Sequence, residues 1–188
     1  MSEEIKGKRV AVMVANEGVE QIEMTAPIEA LKNAGAEVDL IAPEHGEVQA
    51  FNHLDKADTF RVDHSLGEVN AGDYAALVLP GGVANPDQLR TEPKAVQFVK
   101  DFFSEGKPVG AICHAPWTLV EADVVQGRTL TSWPSLKTDI ENAGGTWVDE
   151  EVHVDQGFVT SRKPDDLEAF CSKVVEEIAE GRHAGQTA

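Results

Sequence analysis

Only two of the 188 residues are cysteine, Cys113 and Cys171. That is too few for a disulfide framework, and neither stands in a zinc-ligand spacing. Positive charge is also scarce: 16 Lys and Arg face 33 Asp and Glu, for a net charge of −17. Such a chain repels phosphate backbones, and no basic stripe with interleaved aromatics offsets it, so nucleic acid is excluded as an expected partner. No apolar run approaches the ~20 residues of a membrane-spanning helix. Met1–Lys6 carries no signal-peptide core, so the expected compartment is the cytoplasm, with no membrane contact and with thiols reduced. Repeats and low-complexity segments are missing too. The 41% hydrophobic and 26% charged composition is that of an ordinary globular chain, long enough to bury roughly two-thirds of its unfolded surface as one domain. That domain is expected over residues 1–188, with 181–188 as a frayed tail.

What is present is an alternation of two segment types. Arg9–Ala15, Glu37–Ala42, Tyr74–Leu79 and Val109–Ile112 are short apolar runs of the kind covered on both faces of a sheet. Between them lie helical patterns. Ile22–Ala34 carries Ile22, Ala26, Ala30 and Leu31, ends at Gly35, and contains Pro27, which predicts a kink or the true first turn. A second helix, capped by Thr91, carries Ala95, Val96, Val99, Phe102 and Phe103 and stops at Gly106. Glu44–Asp73 reads as a polar excursion with short extended pieces. Helical pieces are expected after His114 and over Leu136–Ala143, short strands at Val152–Val154 and Phe158–Thr160, and a last helix from Pro164 to Glu180. The alternation predicts an α/β fold: a doubly wound, mostly parallel sheet with helices on both faces.

In such a sheet, ligands sit beyond the carboxyl ends of the strands. Three features fall there: the acidic loop Asn16-Glu17-Gly18-Val19-Glu20-Gln21-Ile22-Glu23, the turn Pro80-Gly81-Gly82, and Cys113-His114. Cys113 follows an apolar strand and precedes a helix-compatible stretch, which is how a nucleophile is mounted on a strand-to-helix turn; the alternative is a buried cysteine serving as a small hydrophobe. Glu20 and Glu23, three apart, share a helix face. They would either tune the sulfur or simply favour a helix N-terminus. Gly81 and Gly82 would either form a plain turn or let main-chain N–H groups approach a ligand, with the His114 N–H as the second donor of an oxyanion hole. His114 is a candidate general base or cationic partner for a thiolate. His45, His53, His64, His153 and His183 read as surface residues. Cys171, on the stripe Leu167, Phe170, Cys171, Val174 and Ile178, reads as core. Trp133-Pro134 fits either a pocket rim or an apolar cap.

Taken in order, Ala15–Glu23, Leu77–Gly82, Gly106–Pro116 and Asn142–Asp149 resemble the DJ-1/PfpI superfamily, in particular its intracellular protease I and general stress protein members. The resemblance implies a flavodoxin-like fold related to class I glutamine amidotransferase domains, and a homo-oligomer, a dimer or a hexamer of dimers. It makes Cys113 the nucleophile, His114 its neighbour, Glu23 the carboxyl group that contacts it, and Glu20 a second acidic pocket position. Gly82 and His114 supply the oxyanion amides, beside Gly81. In protease-type members a neighbouring subunit contributes a glutamate; here the acidic residue of that longer loop, Val83–Asp87, is Asp87.

The implied function is cysteine-dependent hydrolysis in a cytoplasmic stress-response protein, acting on peptides or, as a deglycase or glyoxalase-like enzyme, on glycated or small carbonyl substrates. No cofactor and no metal are expected. The alternative is a non-enzymatic oxidative-stress sensor or chaperone in which Cys113 becomes a sulfenic or sulfinic acid beside Glu23. A glutaminase would want a late histidine and carboxylate, for which His153 is the candidate.

Overall fold

The computed structural model of the chain describes residues 5–186. Strand β1 (Arg9–Met13) leads through β2 (Glu17–Glu20) into α1 (Gln21–Asn33), and β3 (Glu37–Ala42) returns to the sheet. The polar excursion holds β4 (Glu47–Asn52), β5 (Asp55–Arg61) and β6 (His64–Ser65), after which β7 (Ala76–Leu79) runs to the Pro80-Gly81-Gly82 turn. Next come α2 (Ala84–Leu89), α3 (Pro93–Ser104), β8 (Val109–Ile112) and α4 (Pro116–Glu121). The remaining elements are β9 (Thr129–Leu130), α5 (Lys137–Asn142), β10 (Thr146–Trp147), β11 (Val152–Asp155), β12 (Phe158–Ser161) and α6 (Leu167–Glu180).

The expected α/β architecture is present. The central sheet has the order β11-β12-β8-β7-β1-β3-β6, and every pair is parallel except β11 with β12. Its core order β3-β1-β7-β8-β12 is the flavodoxin-like doubly wound pattern, which places the topological switch point beside β1 and β7. Alternation along β1 shows why both faces are apolar. Val10 and Val12 join Leu31 of α1 and Phe170, Val174 and Ile178 of α6, while Ala11 and Met13 join Val99, Phe102 and Phe103 of α3 and Leu119 of α4. Edge-to-face contacts lock the second layer, with ring centroids 5.1 Å apart for Phe98–Phe102 and 5.5 Å for Phe103–Phe158.

Several local expectations change. Helix α1 runs through Pro27 and buries Glu23, Met24, Pro27 and Leu31, leaving Ile22 45% exposed. The buried face is therefore rotated from the expected stripe through Ile22, and it takes Glu23 inward. The loop after β1 contains β2, which pairs with β4 in a small three-stranded sheet. Thr91 does not cap α3: its hydroxyl donates to the Gln88 carbonyl at 2.8 Å, and α3 starts at Pro93 behind Glu92. The inward face of α3 carries Phe98, with Val96 only partly buried. Residues 181–186 are not frayed. The His183 N–H donates to Gly106 O at 2.8 Å, and Gln186 is fully buried.

Phe103 and Leu54 mark the extremes of packing, at 0% and 94% exposure. Phe103→Ala is expected to cost about 3–5 kcal/mol in urea unfolding, and Leu54→Ala no more than about 0.5 kcal/mol.

Candidate active site

Three strand ends meet in one cavity of about 260 Å³, lined by Glu20, Glu23, Gly82, Cys113, His114 and Trp133, with His53, Leu54, Val83 and Pro164 at its walls. Strand β8 delivers Cys113, which sits at φ 63°, in the left-handed region. A non-glycine residue there is strained and persists only when its surroundings hold it. Here the Cys113 N–H donates to Ser161 O at 3.0 Å, and the Cys113 carbonyl accepts the Trp133 N–H at 2.9 Å. The elbow is thus clamped from both sides, and α4 begins three residues on, at Pro116.

The side chains converge on the sulfur. His114 Nδ1 lies 3.1 Å from Cys113 Sγ, so the adjacent side chains do not diverge. The Gly82 and His114 main-chain N–H groups also lie near enough to the sulfur to favour its anion. Burial lowers His114 to about 4, so the ring is neutral at pH 7, which removes the expected cationic role and leaves a base or neutral donor. Its ring stacks on Trp133, centroids 5.6 Å apart, and meets Trp117 edge-on at 5.3 Å. Trp133 is therefore a pocket wall and not an apolar cap.

Glu23 is fully buried, and its Oε2 accepts the Gly81 N–H at 3.0 Å. Oε1 has no hydrogen-bonding nitrogen or oxygen partner; beyond Gly81, the carboxyl group neighbours the Cys113 sulfur and the Gly82 N–H. Burial raises Glu23 to about 8, and burial together with the Glu23 charge pushes the thiol up. Because each group disfavours the other's anion, Glu23 and the Cys113 thiol both keep their protons at pH 7. A protonated Glu23 can donate to sulfur, which adds to the Gly82 and His114 amides in favouring the thiolate.

Glycine is required at both positions of this turn for steric reasons. A Cβ on Gly81 would strike Glu23 Oε2 and lie 2.7 Å from Cys113 Cβ. Gly82 has φ +84°, and a Cβ there would strike Gly18 O and lie 2.7 Å from Glu20 N. Asn85, which no sequence pattern flagged, ties this turn to β1. Its Oδ1 accepts the Ala15 N–H at 2.7 Å, while Nδ2 donates to Pro80 O and Gly81 O at 2.9 and 3.0 Å.

Glu20 does not share a helix face with Glu23. It ends β2, and its Oε2 accepts the His53 N–H at 2.9 Å, fastening the β4–β5 hairpin tip to the pocket. His53 is exposed, as expected of it, yet it lines the cavity. Asp87 is exposed on α2 and lines no part of the cavity, because Asn85, Pro86 and Leu89 take the buried face of that helix. His153 pairs with Glu150 at 2.8 Å, on the edge strand β11, and is not among the residues lining the cavity, so it gives no support to a glutaminase arrangement. Cys171 packs half-buried against the α1–α6 layer, where burial raises it to about 11.

A doubly wound sheet whose cysteine stands on a strand-to-helix elbow, beside a buried carboxyl group and two inward amides, defines a thiol-elbow class of α/β protein. The DJ-1/PfpI family profile matches residues 8–177, and the chain belongs to that family. It is 44% identical over 165 residues to general stress protein 18 of Bacillus subtilis, spanning 87% of this chain and 94% of that protein. It is 42% identical over 164 residues to protein/nucleic acid deglycase 2 of Escherichia coli, covering 87% and 93% of the two chains. The crystal structure of Drosophila melanogaster DJ-1beta, 30% identical, superposes with a TM-score of 0.83 over 92% of this chain and 91% of that one.

Gly82→Ala is expected to destabilise the protein and displace the Gly82 amide, read as a lower melting temperature together with slower alkylation of Cys113. Glu23→Gln tests the protonation of this buried carboxyl group. The folded pKa of about 8 lies above the ordinary carboxylate value of 4.5, so ionising Glu23 costs stability as pH rises from 4.5 through 8. Glu23→Gln should therefore melt above wild type at pH 8 and converge with it below pH 5. At pH 9 it should also be alkylated several-fold faster at Cys113, because no carboxylate then opposes the thiolate.

Proposed function

We propose that the chain is a cysteine-dependent hydrolase of small activated carbonyl compounds, α-oxoaldehydes and the adducts they form on thiols and amines, serving as a stress protein in the cytoplasm. The observation that carries this reading is Cys113 Sγ facing two main-chain N–H donors and a neutral imidazole at 3.1 Å. The cavity, about 260 Å³, is small beside those that take drug-sized ligands and suits a few-carbon substrate. Relatives named as a deglycase and as a general stress protein support the same reading.

In this scheme the sulfur bonds to the aldehyde carbon, C1, of an α-oxoaldehyde, and the carbonyl π pair moves to oxygen. The thiol proton passes through His114 Nδ1 to that oxygen, while the Gly82 and His114 N–H groups hold the developing charge. On an adduct, the amine or thiol leaves C1 with a proton as the sulfur takes its place. The C1 hydrogen then leaves as a proton to neutral His114 and its electron pair reduces C2; that proton returns to the C2 carbon, while the C1 hydroxyl proton passes to the C2 oxygen. C1 becomes a thioester and C2 a carbinol, with no outside oxidant. Water adds to the thioester, the C–S bond breaks, and a 2-hydroxy acid and the thiol are released.

Peptide hydrolysis is the weaker branch, since no carboxylate of the cavity lining other than Glu20 and Glu23 is available and Asp87 faces away. It would need the Asp87 of another copy beside His114, in the homo-oligomer this reading includes. A second reading has its own observation. Cys113, 6% exposed and backed by a carboxyl group that stays protonated below about 8, is suited to oxidation by peroxide to a sulfinic acid, two peroxides yielding two waters.

Cys113→Ala should lower turnover of methylglyoxal and its thiol adducts by roughly a thousandfold or more. Full activity in that variant would eliminate the hydrolase reading. Intact mass after mild peroxide addresses the sensor reading, which requires an adduct of two oxygens confined to Cys113. Native mass spectrometry checks the oligomer, with a monomer ruling out a trans role for Asp87.

A further inference from the structure

The segment after α6 holds an unexplained concentration of unsatisfied polar atoms. Among the described residues, seven buried side-chain nitrogens and oxygens lack a hydrogen-bond partner. Four of them are here: Glu177 Oε2, His183 Nε2, and both Gln186 Oε1 and Nε2. Native proteins leave few buried polar groups unpaired, and each such group calls for a water, an ion or a function. Glu177 Oε2 and His183 Nε2 are only 3.0 Å apart, yet neither counts as hydrogen-bonded, so the imidazole N–H direction does not run to the carboxylate. Two acceptor atoms this close with no proton between them are spaced as neighbours on a shared cation. Adjacent ligands of one cation, each bound at about 2.0–2.2 Å, lie roughly 3 Å apart.

The Glu180 carboxylate completes the group: one ligand atom from each of Glu177, Glu180 and His183 lies within 4.8 Å of the others. Glu177 and Glu180 are three apart on α6, so they share a face, and His183 folds back onto them past Gly181. Gln186 is a separate observation. It is 0% exposed with both amide atoms unpartnered. It is packed beside the imidazole over Gly157, where a point one Cβ away lies 2.5 Å from His183 Cδ2 and 2.7 Å from Gln186 Oε1. None of these residues lines the Cys113 cavity.

We propose that Glu177, Glu180 and His183 bind one divalent transition-metal cation of the zinc class, with Gln186 beside the ring and water completing the coordination. One imidazole with two carboxylates suits such an ion better than magnesium or calcium, which take oxygen ligands alone. The cation would sit against the carboxylates of Glu177 and Glu180, since Lys173 pairs with Glu176 and Lys8 reaches the Ile178 carbonyl instead. It would also clamp residues 181–186 onto Gly106, to which the His183 N–H already donates. The site is separate from the thiol chemistry and does not depend on it.

The test is calorimetric titration of Zn²⁺ into the metal-free full-length Cys113→Ala chain, which leaves no active-site thiol to compete. One site per chain is expected, weakened at least roughly tenfold by His183→Ala and by Glu180→Gln. Glu180 is exposed, so its variant probes the site without threatening the fold. Trypsin cleavage after Arg182 should slow several-fold on saturation with Zn²⁺. Absence of saturable binding would leave a plain Glu177–His183 ion pair and overturn the proposal. So would affinity unchanged in either variant, or cleavage at Arg182 indifferent to zinc.

Discussion

Burying one carboxyl group where three strand ends meet is the constraint on which the pocket rests. Leaving a carboxylate unpaired in an apolar interior costs several kcal/mol, so the group must find donors or keep its proton. Glu23 does both in part. It takes the Gly81 N–H, which fixes the turn after β7, and it turns its remaining capacity toward the Cys113 sulfur. The glycine pair, the elbow strain at Cys113 and the inward pull on α1 all follow from making room for that contact. Gly81 leaves no space for a Cβ because Glu23 Oε2 and Cys113 Cβ occupy it.

The same dryness sets the character of the chemistry. The chain carries a net charge of −17, yet its pocket works with groups that are neutral at pH 7: a protonated Glu23 and an imidazole lowered to about 4. Negative charge arising on the sulfur then meets fixed dipoles, the Gly82 and His114 N–H groups, in surroundings where they act more strongly than in water. Two indoles around His114 hold the ring in place and keep water from it. Charge on the exterior serves solubility and stands apart from the site.

Much of the fold was legible because parallel strands covered on both faces must be continuous apolar runs, and Arg9–Met13, Glu37–Ala42, Ala76–Leu79 and Val109–Ile112 are that. The site's Cys113, His114, Glu23, Gly81 and Gly82 were legible because a strand end followed by glycines or a nucleophile leaves a local pattern. Other parts had no such signal. Strand β2 is short and acidic, and only its pairing with β4 makes it a strand. Asn85 looks like a loop polar residue, and its three hydrogen bonds are made to β1 and to the turn after β7. His183 sits in a polar tail, and its burial depends on Gly106 and Gly157, far off in sequence.

Sequence by itself determined the doubly wound sheet, the elbow cysteine and the glycines beside it, because periodicity and local backbone needs are written in neighbouring residues. Tertiary structure decided the protonation of Glu23 and His114, the closeness of His114 to the sulfur, the outward turn of Asp87 and the gathering of Glu177, Glu180 and His183. Those properties depend on burial and on distances between segments, which exist only once the layers have packed.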